Sequence, residues 1–273
     1  MKTSISLCCV CLIVISWTVF KEGGNSLTVM NLKGPVKLVV EKTTRTLEKK
    51  EKTDSICYAF NELGNLMEES HFNKDGSLKE KSVYTYDPDG TLLEANYYNP
   101  DGSHDFKVTH VYDEPGRKSE RHTYNPQGTL EEKTVFNYNA LGQLSGEDKY
   151  YPIGILRFSA RFVSDTNGRI IEEHRYNPFG IPEWTYYWVY DGKGKVVETR
   201  WNQADGTPNG SDTYAFDEQG NLKLRISYNP DGKVEFTFSY TYEYDKRSNW
   251  IKKVESKDGI QESVTTREII YFE

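Results

Sequence analysis

The chain has 273 residues, a net charge of −7, 27% charged and 14% aromatic residues, and a mean hydropathy of −0.72. Such an acidic surface is a poor partner for polyanions, which excludes nucleic acid as the expected ligand. Four cysteines are too few, and too clustered at the start, for a disulfide framework.

The chain opens with Lys2 and an apolar run from Ile5 to Phe20, followed by polar residues to Ser26. This reads as an export leader over 1–26, with an uncleaved anchor as the alternative. Cys8, Cys9 and Cys11 lie inside the run and would leave with it, so only Cys57 would remain. Membrane contact is expected only if that leader is retained. Residues 27–60 are predicted to form a divergent capping hairpin, with a strand from Val36 and a charged long turn around Thr46–Lys52.

From there the glycines keep a fixed period. Gly64, Gly90, Gly116, Gly142, Gly168, Gly194 and Gly220 are 26 residues apart, and Gly76, Gly102, Gly128, Gly154, Gly180, Gly206 and Gly232 repeat that spacing with an offset of 12. Most follow an aromatic and an Asn or Asp, as in Tyr86-Asp87-Pro88-Asp89-Gly90 and Tyr98-Asn99-Pro100-Asp101-Gly102. Asn or Asp at the first corner, Pro at the second and Gly where φ must be positive is turn chemistry. Each repeat is therefore strand, turn, strand, turn. The strands alternate, as in Val234, Phe236, Phe238, Tyr240 and Tyr242 against Glu235, Thr237, Ser239 and Thr241.

The fold class is all-β: an eight-repeat antiparallel hairpin array over 61–255, closed by a capping strand over 256–273. About 18 strands exceed what an open sheet carries without curling, so a long curled or spiral sheet is expected. A four-bladed propeller would demand a 52-residue super-period, which is absent.

Alternating Tyr-Asp-x-x-Gly and Tyr-Asn-x-Asp-Gly turns resemble the tyrosine–aspartate, or RHS-type, repeat proteins. The resemblance covers about 61–255 and implies hairpin strips that spiral into shells or stalks in exported toxins and surface proteins. The large members' Asp-Pro processing segment and cargo domain have no counterpart here, so a short exported scaffold is implied, with no catalytic residue to carry over.

Three constellations bear on function. Glu68, Glu94, Glu120, Glu172 and Glu198 share one repeat position, on the side of Leu66 and Leu92. A periodic column reads as a structural ladder answering neighbouring Lys and Arg, since an active site is singular. His122 and His174, two repeats apart, are about 19 Å distant by strand spacing and cannot hold one metal. The third is aromatic crowding: Trp184, Tyr186, Trp188 and Tyr190 line one face of a strand near Trp201, while Tyr187 and Val189 make the other face apolar too. Trp and Tyr offer stacking faces with hydrogen-bonding tips, which makes these five the candidate binding residues. No phosphate loop, nucleophile elbow or metal motif is found. The expectation is a non-catalytic, cofactor-free, secreted or cell-surface scaffold binding protein or glycan, with a toxin-accessory shell and a carbohydrate-active enzyme as successive alternatives.

Overall fold

The computed structural model describes residues 25–47 and 50–273; the leader expected over 1–26 lies almost wholly outside them. Among the described residues, apart from one helical turn, α1 (Ser26–Val29), the regular elements are eighteen strands, from β1 (Val36–Leu47) and β2 (Lys50–Phe60) to β17 (Trp250–Lys257) and β18 (Ile260–Tyr271). Every strand pairs antiparallel with its sequence neighbours, and β1 pairs with β18 from Val36↔Tyr271 to Arg45↔Ser263. The sheet is thus a closed barrel, which corrects the expected spiral. The two divergent terminal segments pair with each other, and closure removes both edges.

The turns form as their composition dictates. Gly90 has φ 85° and Gly102 φ 80°. Asp87 accepts from the amides of Asp89 (3.0 Å) and Thr91 (2.8 Å) through Oδ1, while Gly90 N donates to Asp87 O at 3.1 Å. A bulge marks the strand start after these turns: Tyr86 pairs with Leu92 but Thr85 pairs with Glu94. Leu92 therefore joins the Tyr86 side and Glu94 the Thr85 side, which corrects the expectation that glutamates and leucines share a face.

The same bulge explains the tyrosine. Tyr86, Tyr112, Tyr138 and Tyr190 each donate their hydroxyl to a carbonyl 20 residues earlier, those of Leu66, Leu92, Lys118 and Ile170, at 2.7–2.8 Å. Each of these four repeats is stapled to the preceding one where the ladder is interrupted, whereas Ser164 and Phe216 replace the tyrosine in two others.

Stepping from Glu147 to Ala160 to Arg175 advances two residues beyond the 26-residue repeat. Two residues along the strand, about 6.6 Å, against two strands across, about 9.6 Å, give a tilt of about 35° and a wall about 34 Å wide if round. In a single-layered wall only the inward face can be shielded by the chain itself. Ala95, Val108, Thr134, Ala160, Glu173, Tyr186, Trp188, Thr199 and Asp212, all at 8% exposure or less, mark that face.

The other face carries ion pairs along the barrel: Lys81–Glu68 at 2.7 Å, Lys107–Glu94 at 3.4 Å, Lys133–Glu120 at 2.5 Å and Arg161–Asp148 at 2.7 Å. A membrane-spanning barrel turns an apolar band about 25 Å tall outward. A wall this charged is built for water.

The two ends differ. At the entry end, where the described chain begins and β18 finishes, turn side chains pack onto the next repeat. Arg117 pairs with Asp113 at 2.7 Å and lies 4.6 Å over Tyr138; Arg169 repeats this with Asp165 and Tyr190. Residues 25–35 enter this mouth. Leu27 N donates to Gly64 O (3.2 Å), Asn31 Nδ2 to Gln219 O (3.1 Å), and Asn249 bonds both ways with Lys33. Leu27 and Leu32 pack on Val36, Val39 and Phe60 as a buried apolar cluster. The turns holding Gly64 and Gln219 lie six strands apart, a chord of about 29 Å in a round barrel. Leu32 N returns to Leu27 O at 2.8 Å, so Leu27 to Asn31 with its bonds spans no more than about 20 Å. This end is drawn in around its plug. At the far end the glycines Gly76, Gly102, Gly128, Gly154, Gly180, Gly206 and Gly232 have nothing within 4 Å of a would-be Cβ.

Candidate functional site inside the far mouth

Alternation along β12 (Pro182–Tyr190) sends Trp184, Tyr186, Trp188 and Tyr190 inward. Register with β13 (Val196–Gln203) sets Tyr186 opposite Trp201 and Trp188 opposite Thr199. Four of the five expected residues therefore meet. Tyr190 does not: it sits at the entry end, beneath Arg169, its hydroxyl committed to Ile170 O.

The four form a depth series. Tyr186 (7% exposed) and Trp188 (8%) are buried, their rings 6.3 Å apart, whereas Trp184 and Trp201 are half-buried and nearer the far mouth. The indole of Trp201 lies over Gly210, where any Cβ would come within 2.6 Å of its ring. The apolar character of both faces of β12 has a plain origin: the inward set lies within the barrel, and outward Tyr187 lies under Arg200, 5.8 Å from its guanidinium.

Composition alone did not mark the charged residues beside them. Arg175, opposite Trp184, lies 4.7 Å over the Tyr186 ring and is ion-paired with Glu173. Glu173 is 3% exposed, and its Oε2 has no hydrogen-bond partner among the described residues. Burial pushes the Glu147 carboxyl up, with Glu173 adding to the rise and Lys149 and Arg121 opposing it. Around Glu132 stand Arg157 at 2.8 Å, Lys149 at 3.2 Å and Arg121 at 3.3 Å. The signal was available: Arg121, Glu147 and Glu173 are successive 26-residue equivalents on the inward parity. The inner wall from Arg121 to Trp201 thus combines flat aromatic faces with donors and acceptors of both signs.

The outward glutamates behave as a ladder. Glu68, Glu94 and Glu120 are paired with lysines, Glu172 with His174 at 3.1 Å and Glu198 with Arg200 at 3.1 Å. His122 is likewise held by Glu120 at 2.8 Å. Among the described residues no group of three or more His, Cys, Asp or Glu is placed to hold a metal.

No protein-family model matches the chain, and no curated protein matches it in sequence. Among solved structures it is similar to a porin-like protein from Bacteroides uniformis, at 11% identity over 87% of this chain and 99% of that one, with a TM-score of 0.49. A porin-like protein from Bacteroides vulgatus follows at 11% identity, 85% and 97% coverage and a TM-score of 0.39. The toxin assembly TcdB2-TccC3-TEV is similar at 13% identity over 82% of this chain and 15% of that one, with a TM-score of 0.30. At such values the architecture rests on the strand pairing itself, and the outer wall separates this barrel from a lipid-facing one.

Proposed function

We propose that this chain is an exported, non-catalytic barrel that holds a short glycan just inside its far mouth. The observation that carries the reading is the exposure gradient: half-buried Trp184 and Trp201 face the barrel interior beside buried Tyr186 and Trp188. Sugar rings stack on indole faces, and their hydroxyls need both donors and acceptors. Arg175 supplies the former, and the unpartnered Oε2 of Glu173 the latter. Residues 25–35 lie across part of the entry end, between the 61–65, 217–221 and 245–249 turns, and in this reading the far mouth is the way in. In this reading the chain is a short exported relative of the tyrosine–aspartate repeat proteins whose eight repeats close on themselves instead of wrapping a cargo. The leader over 1–26 supports export, and the acidic surface speaks against nucleic acid.

The test is titration of neutral and acidic oligosaccharides against the purified chain, followed by tryptophan fluorescence and by the mass of the recovered sugar. Trp184→Ala and Trp201→Ala, checked for intact fold by circular dichroism, are each expected to weaken binding about tenfold or more. The sugar is expected to be recovered unchanged. Binding unaffected in folded variants defeats the site, and a cleaved sugar defeats the non-catalytic reading.

A further inference from the structure

At the far end, the residue before the turn glycine is Asp75, Asp101, Gln127, Asp205 or Asp231 in five repeats, and the residue after it is Ser77, Ser103, Thr129, Thr207 or Lys233. Where Asp meets Ser they bond locally, as from Ser77 Oγ to Asp75 Oδ1 at 2.6 Å. Two adjacent turns abandon this. Tyr151-Pro152-Ile153-Gly154-Ile155 and Asn177-Pro178-Phe179-Gly180-Ile181 place apolar side chains at both positions. Tyr151 is 47% exposed, Ile153 81%, Ile155 57%, Phe179 85% and Ile181 57%. Tyr151 lies under Arg157, 5.7 Å from its guanidinium, while Ile153 and Phe179 are almost wholly in solvent and lack the local Asp–Ser bond of the 73–77 turn.

We propose that these two tips are a self-association surface on which a second copy of the chain docks, tip against tip, about a two-fold axis. The five side chains expose about 650 Å², more than the largest apolar patch on most monomers. Doubled across a two-fold, complete burial makes at most about 1,300 Å², at the lower end of the standard range for a stable pair. With the two-fold axis passing between the tips and across the line that joins them, the 151–155 turn of one copy meets the 177–181 turn of the other, the two being the same length and one repeat apart. The tips arrive preformed: Asn177 Oδ1 accepts from Phe179 N at 2.9 Å and Ile181 N at 3.1 Å, and Tyr151 N donates to Ile155 O at 2.9 Å. Little ordering entropy then opposes docking. The two tips themselves carry no acid, so copies of a chain of net charge −7 can meet there without bringing carboxylates face to face. Exposed Glu131 and Glu183 at their flanks disfavour an anionic lipid surface as the occupant.

Sedimentation equilibrium from about 1 to 100 µM tests this, a range bracketing a micromolar dissociation constant. The chain is expected to be dimeric at the upper end. Ile153→Asp and Phe179→Asp, with unchanged circular dichroism, are expected to weaken dimerisation at least 100-fold. In a Cys57→Ser background, Ile153→Cys mixed with Phe179→Cys is expected to give a disulfide-linked heterodimer under mild oxidation. A monomer throughout the range overturns the proposal, as does a dimer insensitive to both Asp variants. Co-sedimentation of a monomeric chain with phosphatidylcholine vesicles, lost in the Asp variants, assigns the tips to lipid and overturns it equally.

Discussion

His110 gives the sharpest test of which way the strand faces point. It lies on the inward face opposite Arg121, is 8% exposed, and its Nδ1 has no hydrogen-bond partner among the described residues. Burial first, then the charges of Lys118 and Arg121, hold its pKa down to about 3 against an ordinary 6.5. The folded state therefore binds this proton far later than the unfolded chain does, so the contribution is intact above pH 6.5 and is lost as pH falls toward 3. Each pH unit in that window costs about 1.4 kcal/mol, so pH 4.5 removes on the order of 2–3 kcal/mol relative to neutral pH. The perturbation is His110→Gln, which keeps a polar side chain but cannot titrate. Urea unfolding of both proteins at pH 7.5, 5.5 and 4.5 gives the difference directly. Other titrating groups cancel in it, including His71, whose pKa is raised by Glu69 and which acts with the opposite sign. The gap between the two proteins should shift by on the order of 2–3 kcal/mol in favour of the variant by pH 4.5. Parallel stability curves would refute the buried, unpartnered placement of this ring.

Two further predictions concern the repeat. Ala at Gly220 meets Lys195 Nζ at 3.1 Å, whereas at Gly102 it meets nothing within 4 Å. Both positions have positive φ and should lose about 1–2 kcal/mol from backbone strain alone, Gly220→Ala losing more in the same thermal melt only by what shifting Lys195 Nζ from its 2.8 Å bond to Gly220 O costs. Tyr138→Phe keeps the ring beneath Arg117 but leaves Lys118 O without its hydroxyl donor, an expected loss of about 1–3 kcal/mol in urea. Tyr124→Phe, whose hydroxyl reaches only His122 at 3.3 Å, should lose less than about 0.5 kcal/mol.

The repeat unit was legible because everything that makes it is local. Asp87 and Gly90 are three residues apart, and strand alternation needs no distant partner. What escaped the sequence is what depends on distant contacts or on parity. Closure joins Thr43 to Thr265 through two segments that lack the repeat's own pattern, so nothing periodic announces it. The bulge at Leu92–Glu94 shifts parity by one, and a count by twos then puts the glutamate column on the wrong face. The aromatic cluster on β12 was found, but its place inside the barrel was not, since burial of Tyr186 and Trp188 follows only once the wall closes. The charged inner wall was overlooked because Arg121, Glu147 and Glu173 read as solvated strand residues until the inward parity is fixed. The plug was hidden for a related reason, as Asn31 and Gln219 are 188 residues apart.

Closure itself is tested most directly by a cross-link between the terminal strands. Thr43 and Thr265 are paired across β1 and β18 with their hydroxyls 2.9 Å apart, and Thr44 and Thr53 provide a control within one hairpin, at 3.2 Å. In a Cys57→Ser background lacking the leader cysteines, Thr43→Cys with Thr265→Cys should oxidise as fully as Thr44→Cys with Thr53→Cys, giving one linked peptide pair in the digest. A control that closes while positions 43 and 265 stay reduced would mean an open ribbon and contradict the barrel.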